Sequence, residues 1–272
     1  MRTGLNMKNQ LFKVVRIFTA LLQQTGAAHW LFRHHPRFYN FLVNRFRTTR
    51  FSGLPLTLMV TLLVVQAMVF SELAESVVES EAIVSIDRQF TQFLYSSRHP
   101  GLSQFFYGLT QLGTREAIFA LGVFSTLILL FQRKFLAVLC FWATMGGIGL
   151  TIIYGKQYFL RARPEDVGFY AEVSFSFPSG HATTAMALFG FLTYFIIRYS
   201  KTWSSKVFLF IVCLILILLV GFSRIYLGVH YLSDVLAGFL VGGAWLIMGI
   251  SVLEYLTEHP PFKRIKDQVD ES

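Results

Sequence analysis

The chain has 272 residues and a formal net charge of +9, with 24 Lys and Arg residues against 15 Asp and Glu residues. Apolar residues make up 54% of the sequence and charged residues 14%, whereas ordinary globular domains carry roughly 25% charged residues. With a mean hydropathy of +0.54, this composition excludes a water-soluble globule, a disordered chain, a coiled coil and collagen. The sequence therefore predicts an all-α membrane protein, because open strands leave unpaired backbone groups in lipid.

The first 53 residues form a basic segment that contains no uninterrupted apolar span. Apolar residues recur at helical spacing over residues 11–22, beside Lys8, Lys13 and Arg16. This pattern is typical of an amphipathic helix that lies on an anionic membrane surface. Arg16 interrupts the apolar run and no convincing cleavage site follows, so we do not expect a secretory signal peptide.

Six apolar stretches are predicted to span the membrane, because their uncharged flanks bring them towards the length of about 20 residues that a bilayer requires. They are Leu54–Phe70, Ala117–Phe131, Phe135–Tyr154, Ala182–Ile197, Val207–Phe222 and Val235–Leu253. The predicted architecture is a six-transmembrane-helix bundle over residues 54–253, followed by a cytoplasmic tail over residues 254–272. Between the first two spans, apolar residues at helical spacing predict a helix along the outer membrane interface. They are Ile83, Ile86, Phe90, Phe93 and Leu94.

The distribution of Lys and Arg over the connecting segments predicts the orientation of the chain. If the N-terminus is cytoplasmic, 17 of the 24 Lys and Arg residues fall on the inner side and 10 of the 15 acidic residues on the outer side. Positive charge is typical of the cytoplasmic side of membrane proteins. We therefore expect a multi-pass plasma (inner) membrane protein with both termini in the cytoplasm, and the net charge needs no nucleic-acid partner to explain it.

Three clusters of polar residues lie at the ends of the predicted spans. The first follows the third span, the second begins the fourth, and the third connects the fifth and sixth. They contain Lys156 with Arg163–Pro164, then Pro178–Ser179–Gly180–His181, then Ser223–Arg224 with His230 and Asp234. In a bundle of six alternating helices all three lie on the same membrane face, and the charge distribution makes that the outer or periplasmic face. Ionisable residues at such places predict a functional site.

The side chains in these clusters are those of a phosphate site. Arg163 and Arg224 are planar donors that can grip phosphate oxygens in pairs, and Lys156 adds a point charge. Ser179 and Gly180 precede a helix, whose free amides and positive dipole end attract an anion. We therefore predict that these five residues bind phosphate.

Two histidines and one carboxylate complete the predicted site. His230 and Asp234 are four residues apart, so on a helix Asp234 can accept a hydrogen bond from one imidazole nitrogen and leave the other free to attack phosphorus. His181 begins a different helix and is predicted to protonate the leaving oxygen. No metal or cofactor is expected, because the cations already neutralise the phosphate.

Taken together, the three clusters resemble the tripartite signature of the type 2 phosphatidic acid phosphatase superfamily. They read Lys156-x6-Arg163-Pro164, Pro178-Ser179-Gly180-His181 and Ser223-Arg224-x5-His230-x3-Asp234. The resemblance covers roughly residues 54–253. It implies a six-helix membrane enzyme that hydrolyses a lipid phosphomonoester or diphosphate without a metal, through a phosphohistidine intermediate. The bacterial members most similar in size act on phosphatidate, phosphatidylglycerol phosphate or isoprenyl diphosphates.

Several alternatives stay open at this point. The same signature can hold vanadate in a haloperoxidase, or bind a lipid phosphate without catalysis. The signature residues contact only the phosphate, so they leave the lipid, the leaving group and the oligomeric state undetermined. Outside the signature, Arg161 is interpreted as an interfacial anchor. The glycines of two spans, namely Gly146, Gly147, Gly149, Gly238 and Gly242, are interpreted as helix-packing positions.

Overall fold

The computed structural model describes residues 25–200 and 202–260. In those ranges the chain is helical and has no β-strand, which confirms the predicted all-α fold. The helices are α1 (Gly26–His34), α2 (Pro36–Arg45), α3 (Leu54–Glu79), α4 (Glu81–Ser96), α5 (Pro100–Thr110), a 3-10 helix (Gln111–Gly113), α6 (Arg115–Phe131), α7 (Phe135–Phe159), α8 (Gly180–Tyr199), α9 (Trp203–Tyr226) and α10 (Leu232–Glu258). The predicted amphipathic helix over residues 11–22 lies outside the described residues.

Among the described residues, five helices are long and apolar enough to cross a membrane: α3, α7, α8, α9 and α10. All five extend beyond the apolar stretches predicted from the sequence. For example, α3 continues past Phe70 to Glu79, and α7 continues past Tyr154 to Phe159. The physical reason is that hydropathy marks the hydrocarbon core, whereas helical hydrogen bonding continues into the interface.

The predicted second span differs from the structure in one respect. Helix α6 covers it but is only 17 residues long. It is long enough to be a candidate membrane span only when the preceding segment Pro100–Gly113 is counted with it. The two are bent by 50° at Thr114, whose extended backbone and side-chain bond to the Ala117 amide begin α6 as an N-cap. The described part of the chain therefore has six candidate spans if this bent pair is one span.

Helix α4 occupies the place of the predicted interfacial helix. It buries Asp87, Thr91 and Leu94, and it ends at Ser96, shortly before His99 caps the start of α5 by accepting a hydrogen bond from the Gly101 amide. Its position along the outer interface stays a prediction. Asp87 is therefore an acidic side chain buried on this helix.

The described residues divide into two compact units, one within residues 25–62 and 251–260 and the other within residues 63–250. In the described part of the first unit, α1 and α2 expose aromatic side chains beside basic residues, and the Ser52 amide donates to the Glu258 carboxylate at 2.9 Å. The second unit contains every residue of the predicted site. The proposed domain boundaries at residues 53 and 253 stay a prediction.

Helices α8 and α10 approach each other closely through two glycines of α10. A Cβ atom on Gly238 would lie 2.7 Å from the Ser179 carbonyl oxygen, and one on Gly242 would lie 2.4 Å from the Thr183 carbonyl oxygen. Any larger side chain would therefore meet the backbone of α8. The contact agrees with the predicted packing role, and it brings the start of α10 against the start of α8, where the Ser179 amide donates to the Asp234 carbonyl at 3.0 Å.

The close approach of α8 and α10 predicts that a larger side chain at Gly242 destabilises the protein. Gly242→Ala should push α8 and α10 apart and destabilise the protein by about 1–3 kcal/mol, which lowers its thermal midpoint in detergent. Gly146→Ala is the matched control, because no atom lies within 4 Å of a Cβ at that position. Equal midpoints for the two variants would contradict the packing interpretation.

Candidate active site

His230 lies on the short link between α9 and α10 and is 1% exposed. Its Nδ1 is 3.3 Å from Asp234 Oδ2, and its Nε2 is 3.2 Å from Arg163 Nη1. A guanidinium can only donate, so Nε2 must be the acceptor in that contact. We therefore assign the proton to Nδ1, where it is donated to Asp234, and the free lone pair to Nε2.

The environment of His230 also favours its neutral form. Burial lowers the pKa of His230 well below its ordinary value of 6.5, and the positive charges of Arg224, Arg163 and Lys156 lower it further. Near pH 7 the imidazole is therefore uncharged. A neutral imidazole with its lone pair on Nε2 is the form that can act as a nucleophile.

The Asp234 carboxylate is fully buried and is held by several donors. Oδ2 accepts from the Tyr231 amide at 2.9 Å as well as from His230, and Oδ1 accepts from Arg161 Nη1 at 2.5 Å. Neither oxygen is left to bind substrate. The arrangement suits an orienting carboxylate rather than one that reacts.

Arg163 is fixed by carbonyl oxygens on two sides. Its Nε donates to the Ser174 carbonyl at 2.6 Å, and its Nη1 donates to the Val229 carbonyl at 2.5 Å. The Ser174 hydroxyl accepts from Arg163 Nη2 at 3.0 Å and from Lys156 Nζ at 2.8 Å. Two of the predicted phosphate ligands therefore converge on one serine, next to the histidine.

Arg224 is 1% exposed and approaches the site from the end of α9. It donates to Thr110 Oγ1 at 3.1 Å, to the Tyr170 hydroxyl and to Glu172 Oε1 at 2.7 Å, and Glu172 Oε2 is 3.6 Å from Arg163 Nη2. Burial alone would raise the pKa of Glu172, but its hydrogen bond and charge contact with Arg224, reinforced by Arg163, lower that pKa below its ordinary value. Glu172 is therefore an ionised carboxylate between two arginines.

A cavity of about 530 Å³ joins these groups. Its polar wall contains four cations and one carboxylate, so it carries excess positive charge and suits an anion. One of the four, Arg115 at the start of α6, was not predicted from the sequence. The polar lining residues are Arg115, Lys156, Arg163, Glu172, Ser174, His181, Thr184, Arg224 and His230, and Gly180 lies among them. No group of three or more His, Cys, Asp or Glu side chains that could hold a metal ion occurs in residues 25–200 and 202–260.

Two buried polar atoms at the site have no hydrogen-bond partner within the described part of the chain: Arg224 Nε and Ser179 Oγ. An unpaired buried donor costs about 1–3 kcal/mol, and phosphate oxygens can accept from both groups. The Ser179 amide differs from the expectation, because it already donates to the Asp234 carbonyl at 3.0 Å. This amide is unavailable as long as α8 and α10 stay packed, and Gly180 is the residue of the pair that lines the cavity.

His181 lines the same cavity from the first turn of α8. Its ring rests against Gly113 in the 3-10 helix, where a Cβ atom would lie 2.8 Å from His181 Cδ2. The structure therefore places both histidines of the signature at one cavity, on different helices. Seven of the eight predicted site residues line this cavity or contact His230 directly. The eighth, Ser179, has the unpaired hydroxyl.

Arg161 differs from its interpretation as an interfacial anchor. Its side chain is only 11% exposed and bridges Asp234, at 2.5 Å, and Asp87 of α4, at 2.7 Å. The sequence contains one signal of this, since Asp87 shares a helical face with apolar Ile83 and Leu94, where a charge needs a buried partner. The identity of that partner depends on tertiary contacts between distant segments.

The glycines of α7 also differ in part from the expectation. Gly147 packs against Trp245, as a helix-packing position should, because a Cβ there would lie 2.2 Å from the indole ring. Gly146 and Gly149 face open space and line the cavity, together with apolar side chains of α6 and α7. Sequence spacing alone does not separate these two uses of glycine.

Comparison with known proteins agrees with this geometry. The family model of the PAP2 superfamily matches residues 135–258, which include all the signature residues. Phosphatidylglycerophosphatase B of Bacillus subtilis is 29% identical over 65% of this chain and 88% of its own length. Lipid A 1-phosphatase of Rhizobium johnstonii is 35% identical over 40% of this chain and 43% of its own length.

A solved structure extends the match to the fold. The crystal structure of a transmembrane PAP2-type phosphatidylglycerolphosphate phosphatase from Bacillus subtilis superposes with a TM-score of 0.67 at 30% identity. The alignment covers 71% of this chain and 96% of that one. The chain therefore belongs to the PAP2 superfamily, as an integral membrane lipid phosphatase that hydrolyses phosphate esters.

Proposed function

We propose that this phosphatase cleaves its lipid phosphate at the cavity around His230 through a phosphohistidine intermediate. The observation that carries the proposal is the environment of His230 Nε2. This nitrogen bears a lone pair and lies in a cavity with four cations. Two buried donors of the signature residues, Arg224 Nε and Ser179 Oγ, have no hydrogen-bond partner among the described residues. A phosphoryl group in the cavity would satisfy these donors and place phosphorus in front of the nitrogen.

In the first step, His230 Nε2 attacks phosphorus and the P–O bond to the lipid breaks. The electron pair of that bond stays on the leaving oxygen, which takes a proton from His181. Arg163, Arg224 and Lys156 stabilise the charge that builds on the equatorial oxygens. Asp234 accepts the Nδ1 proton as a hydrogen bond and stabilises the positive charge on the ring.

In the second step, water attacks the phosphorus of the phosphohistidine. His181, now neutral, takes a proton from that water, and the P–N bond breaks with its electron pair returning to Nε2. Inorganic phosphate leaves, and both histidines regain their starting states. The step requires no metal, since the side chains that line the cavity supply both the charge and the proton transfer.

The cavity also offers an apolar wall for a lipid. Phe119 of α6 and Trp142 and Ile152 of α7 are among its apolar lining residues. We infer that the hydrocarbon part of the substrate lies against this wall. Phosphatidylglycerol phosphate is the first substrate to test, because relatives with that activity in their names match most of the chain. Phosphatidate and an isoprenyl diphosphate remain the comparison substrates. These relatives favour hydrolysis over a haloperoxidase or a non-catalytic binder.

We further propose that the site faces the outer or periplasmic side and that both termini are cytoplasmic. The site uses the ends of α7 and α9 and the beginnings of α8 and α10, which belong to one end of alternating helices. At the other end, the connection between α6 and α7 contains Arg133 and Lys134, the last turn of α8 contains Arg198 and the first turn of α9 contains Lys206. This charge distribution is typical of a cytoplasmic face.

Phosphate release in EDTA by purified protein, from the three lipids, tests the proposed function. His230→Ala should abolish release, because it removes the proposed nucleophile, and His181→Ala should lower kcat by roughly 10²–10⁴-fold. With an aryl phosphate as substrate, whose leaving group needs little protonation, His181→Ala should lower kcat much less. The exposed His259 provides the matched control His259→Ala, which should behave as wild type.

The intermediate can be trapped in the same preparation. The enzyme is mixed with a lipid whose phosphate group is radiolabelled, and the reaction is stopped with alkali. Label should then remain on the protein, since a phosphoramidate is stable to base and labile to acid. The label should be absent from His230→Ala. Full phosphate release by His230→Ala, or label that persists on that variant, would overturn the mechanism.

The pKa of His230 makes a prediction about pH. Protonation of Nε2 removes the lone pair, and the pKa of this group lies well below 6.5. The kcat/KM of the free enzyme should therefore hold as pH falls through 6.5 and decline only well below it. The substrate for this measurement is an aryl phosphate. Its own ionisation is determined separately, and the kcat/KM profile is corrected for it. An acid limb centred at or above pH 6.5 would contradict the described environment.

The contact between Gly113 and His181 predicts a positioning effect. Gly113→Ala would place a methyl group 2.8 Å from His181 Cδ2 and 2.9 Å from Val220 Cγ1, so the ring must move. A displacement of about 1 Å can cost about 10²-fold in rate, and we expect kcat to fall by that order with KM nearly unchanged. Gly108→Ala in α5, with open space at its Cβ, is the control. Wild-type kcat in Gly113→Ala would contradict the placement of His181.

A further inference from the structure

A buried network of charges lies behind Asp234, on the side away from the cavity cations. Asp87 of α4 is 2% exposed and Asp234 is fully buried, and Arg161 lies between them on the segment that connects α7 to α8. Arg161 Nη2 donates to Asp87 Oδ2 at 2.7 Å, and Nη1 donates to Asp234 Oδ1 at 2.5 Å. Three segments that are distant in the sequence therefore meet at one guanidinium.

The network is completed by Ser233 at the start of α10. Its hydroxyl accepts from Arg161 Nη1 at 2.7 Å and donates to Asp87, and its amide donates to Asp87 Oδ1 at 3.0 Å. The guanidinium also lies over the Tyr231 ring, with its central carbon 4.5 Å from the ring centroid. Arg161 is thus restrained in position and in orientation.

A stabilising role alone explains this arrangement poorly. Removing three charges from water carries a desolvation cost that often equals the Coulombic gain, and apolar side chains of similar volume hold helices together equally well. A planar fork that grips two carboxylates with separate nitrogens fixes one orientation of each carboxylate. The carboxylate whose orientation matters for chemistry is that of Asp234.

We propose that Arg161, held by Asp87, is a positioning residue for the histidine nucleophile. By occupying Oδ1 of Asp234 it leaves Oδ2 as the acceptor of the His230 Nδ1 proton, at 3.3 Å. The proton is then kept on Nδ1 and the lone pair on Nε2, where phosphorus is attacked. The inference rests on the proposed function, because Arg161 acts only through Asp234 and His230.

The same contacts separate Arg161 from the phosphate ligands. Its Nη1 and Nη2 donate to carboxylates, and it is absent from the lining of the cavity that contains Lys156, Arg163 and Arg224. Substitution of Arg161 should therefore slow the reaction without weakening phosphate binding. The kcat and the inhibition constant of orthovanadate, a phosphate analogue, measure these two effects separately.

The test uses Arg161→Met, Arg161→Lys and Asp87→Asn in the purified full-length protein. Partners that orient a reactive group typically contribute 10–100-fold to activity, so each variant should lose roughly that factor in kcat. The inhibition constant of orthovanadate should stay within about twofold of wild type, the range expected for uncoupled sites. Lysine should not restore kcat, because one ammonium cannot hold both carboxylates in a plane. Restoration by lysine would show that only the charge matters and would overturn the proposal.

A double-mutant cycle with Asp234→Asn provides the decisive comparison. If Arg161 acts through Asp234, adding Arg161→Met to Asp234→Asn should cost less than about threefold beyond Asp234→Asn alone. Multiplied losses would mean that Arg161 acts independently, and the proposal would be wrong. If Arg161→Met does not give monodisperse protein, the cycle is run with Arg161→Lys, and the same two outcomes decide.

Two controls complete the experiment. Arg88 is exposed and adjacent to Asp87 on α4, so Arg88→Gln should leave kcat unchanged. A thermal midpoint within the error of wild type for Asp87→Asn, together with a loss of kcat, excludes a general loss of folding. If wild-type turnover does not depend on His230, the proposed function fails; if it does and the cycle is multiplicative, only the role of Arg161 fails.

Discussion

Asp234 is the residue on which the arrangement of the site depends, because its carboxylate is buried and its partners come from three separate segments of the chain. Its oxygens accept from His230, from the Tyr231 amide and from Arg161, while its own carbonyl accepts from the Ser179 amide. A buried carboxylate is costly without such partners. The contacts of its carboxylate and of its carbonyl together therefore connect the starts of α8 and α10 and the segment after α7, which are the parts that contain the signature.

The charges in this part of the protein separate into two groups with different chemistry. The cavity contains four cations and one carboxylate, Glu172, so an anion is attracted there. Outside the cavity lining, the charge of Arg161 is neutralised by Asp87 and Asp234, and both of its terminal nitrogens already donate to these carboxylates. Arg161 and Arg163 are only two residues apart and yet belong to different groups, because Arg161 contacts the two carboxylates whereas Arg163 lines the cavity.

Glycine allows both the packing and the cavity. Where α10 meets α8, Gly238 and Gly242 let the backbones approach, and this brings Asp234 to the start of α8. On α7, Gly146 and Gly149 instead leave space that becomes part of the cavity. The same missing side chain produces close contact in one place and an opening in another, according to what faces it.

The sequence by itself determined the all-helical membrane fold and the superfamily, because hydropathy and the spacing of the three clusters are local properties. It also placed candidate site residues at helix ends that the fold brings together. Only the tertiary structure showed that α5 and α6 form a bent pair, that the Ser179 amide is engaged, and that Arg161 joins Asp87 to Asp234. These features depend on which distant groups meet, and a buried charge can find its partner anywhere along the chain. For that reason the proposed phosphate ligands and the His230–Asp234 pair were predictable from their pattern, whereas Arg161 and Asp87, which we propose to orient that pair, were not.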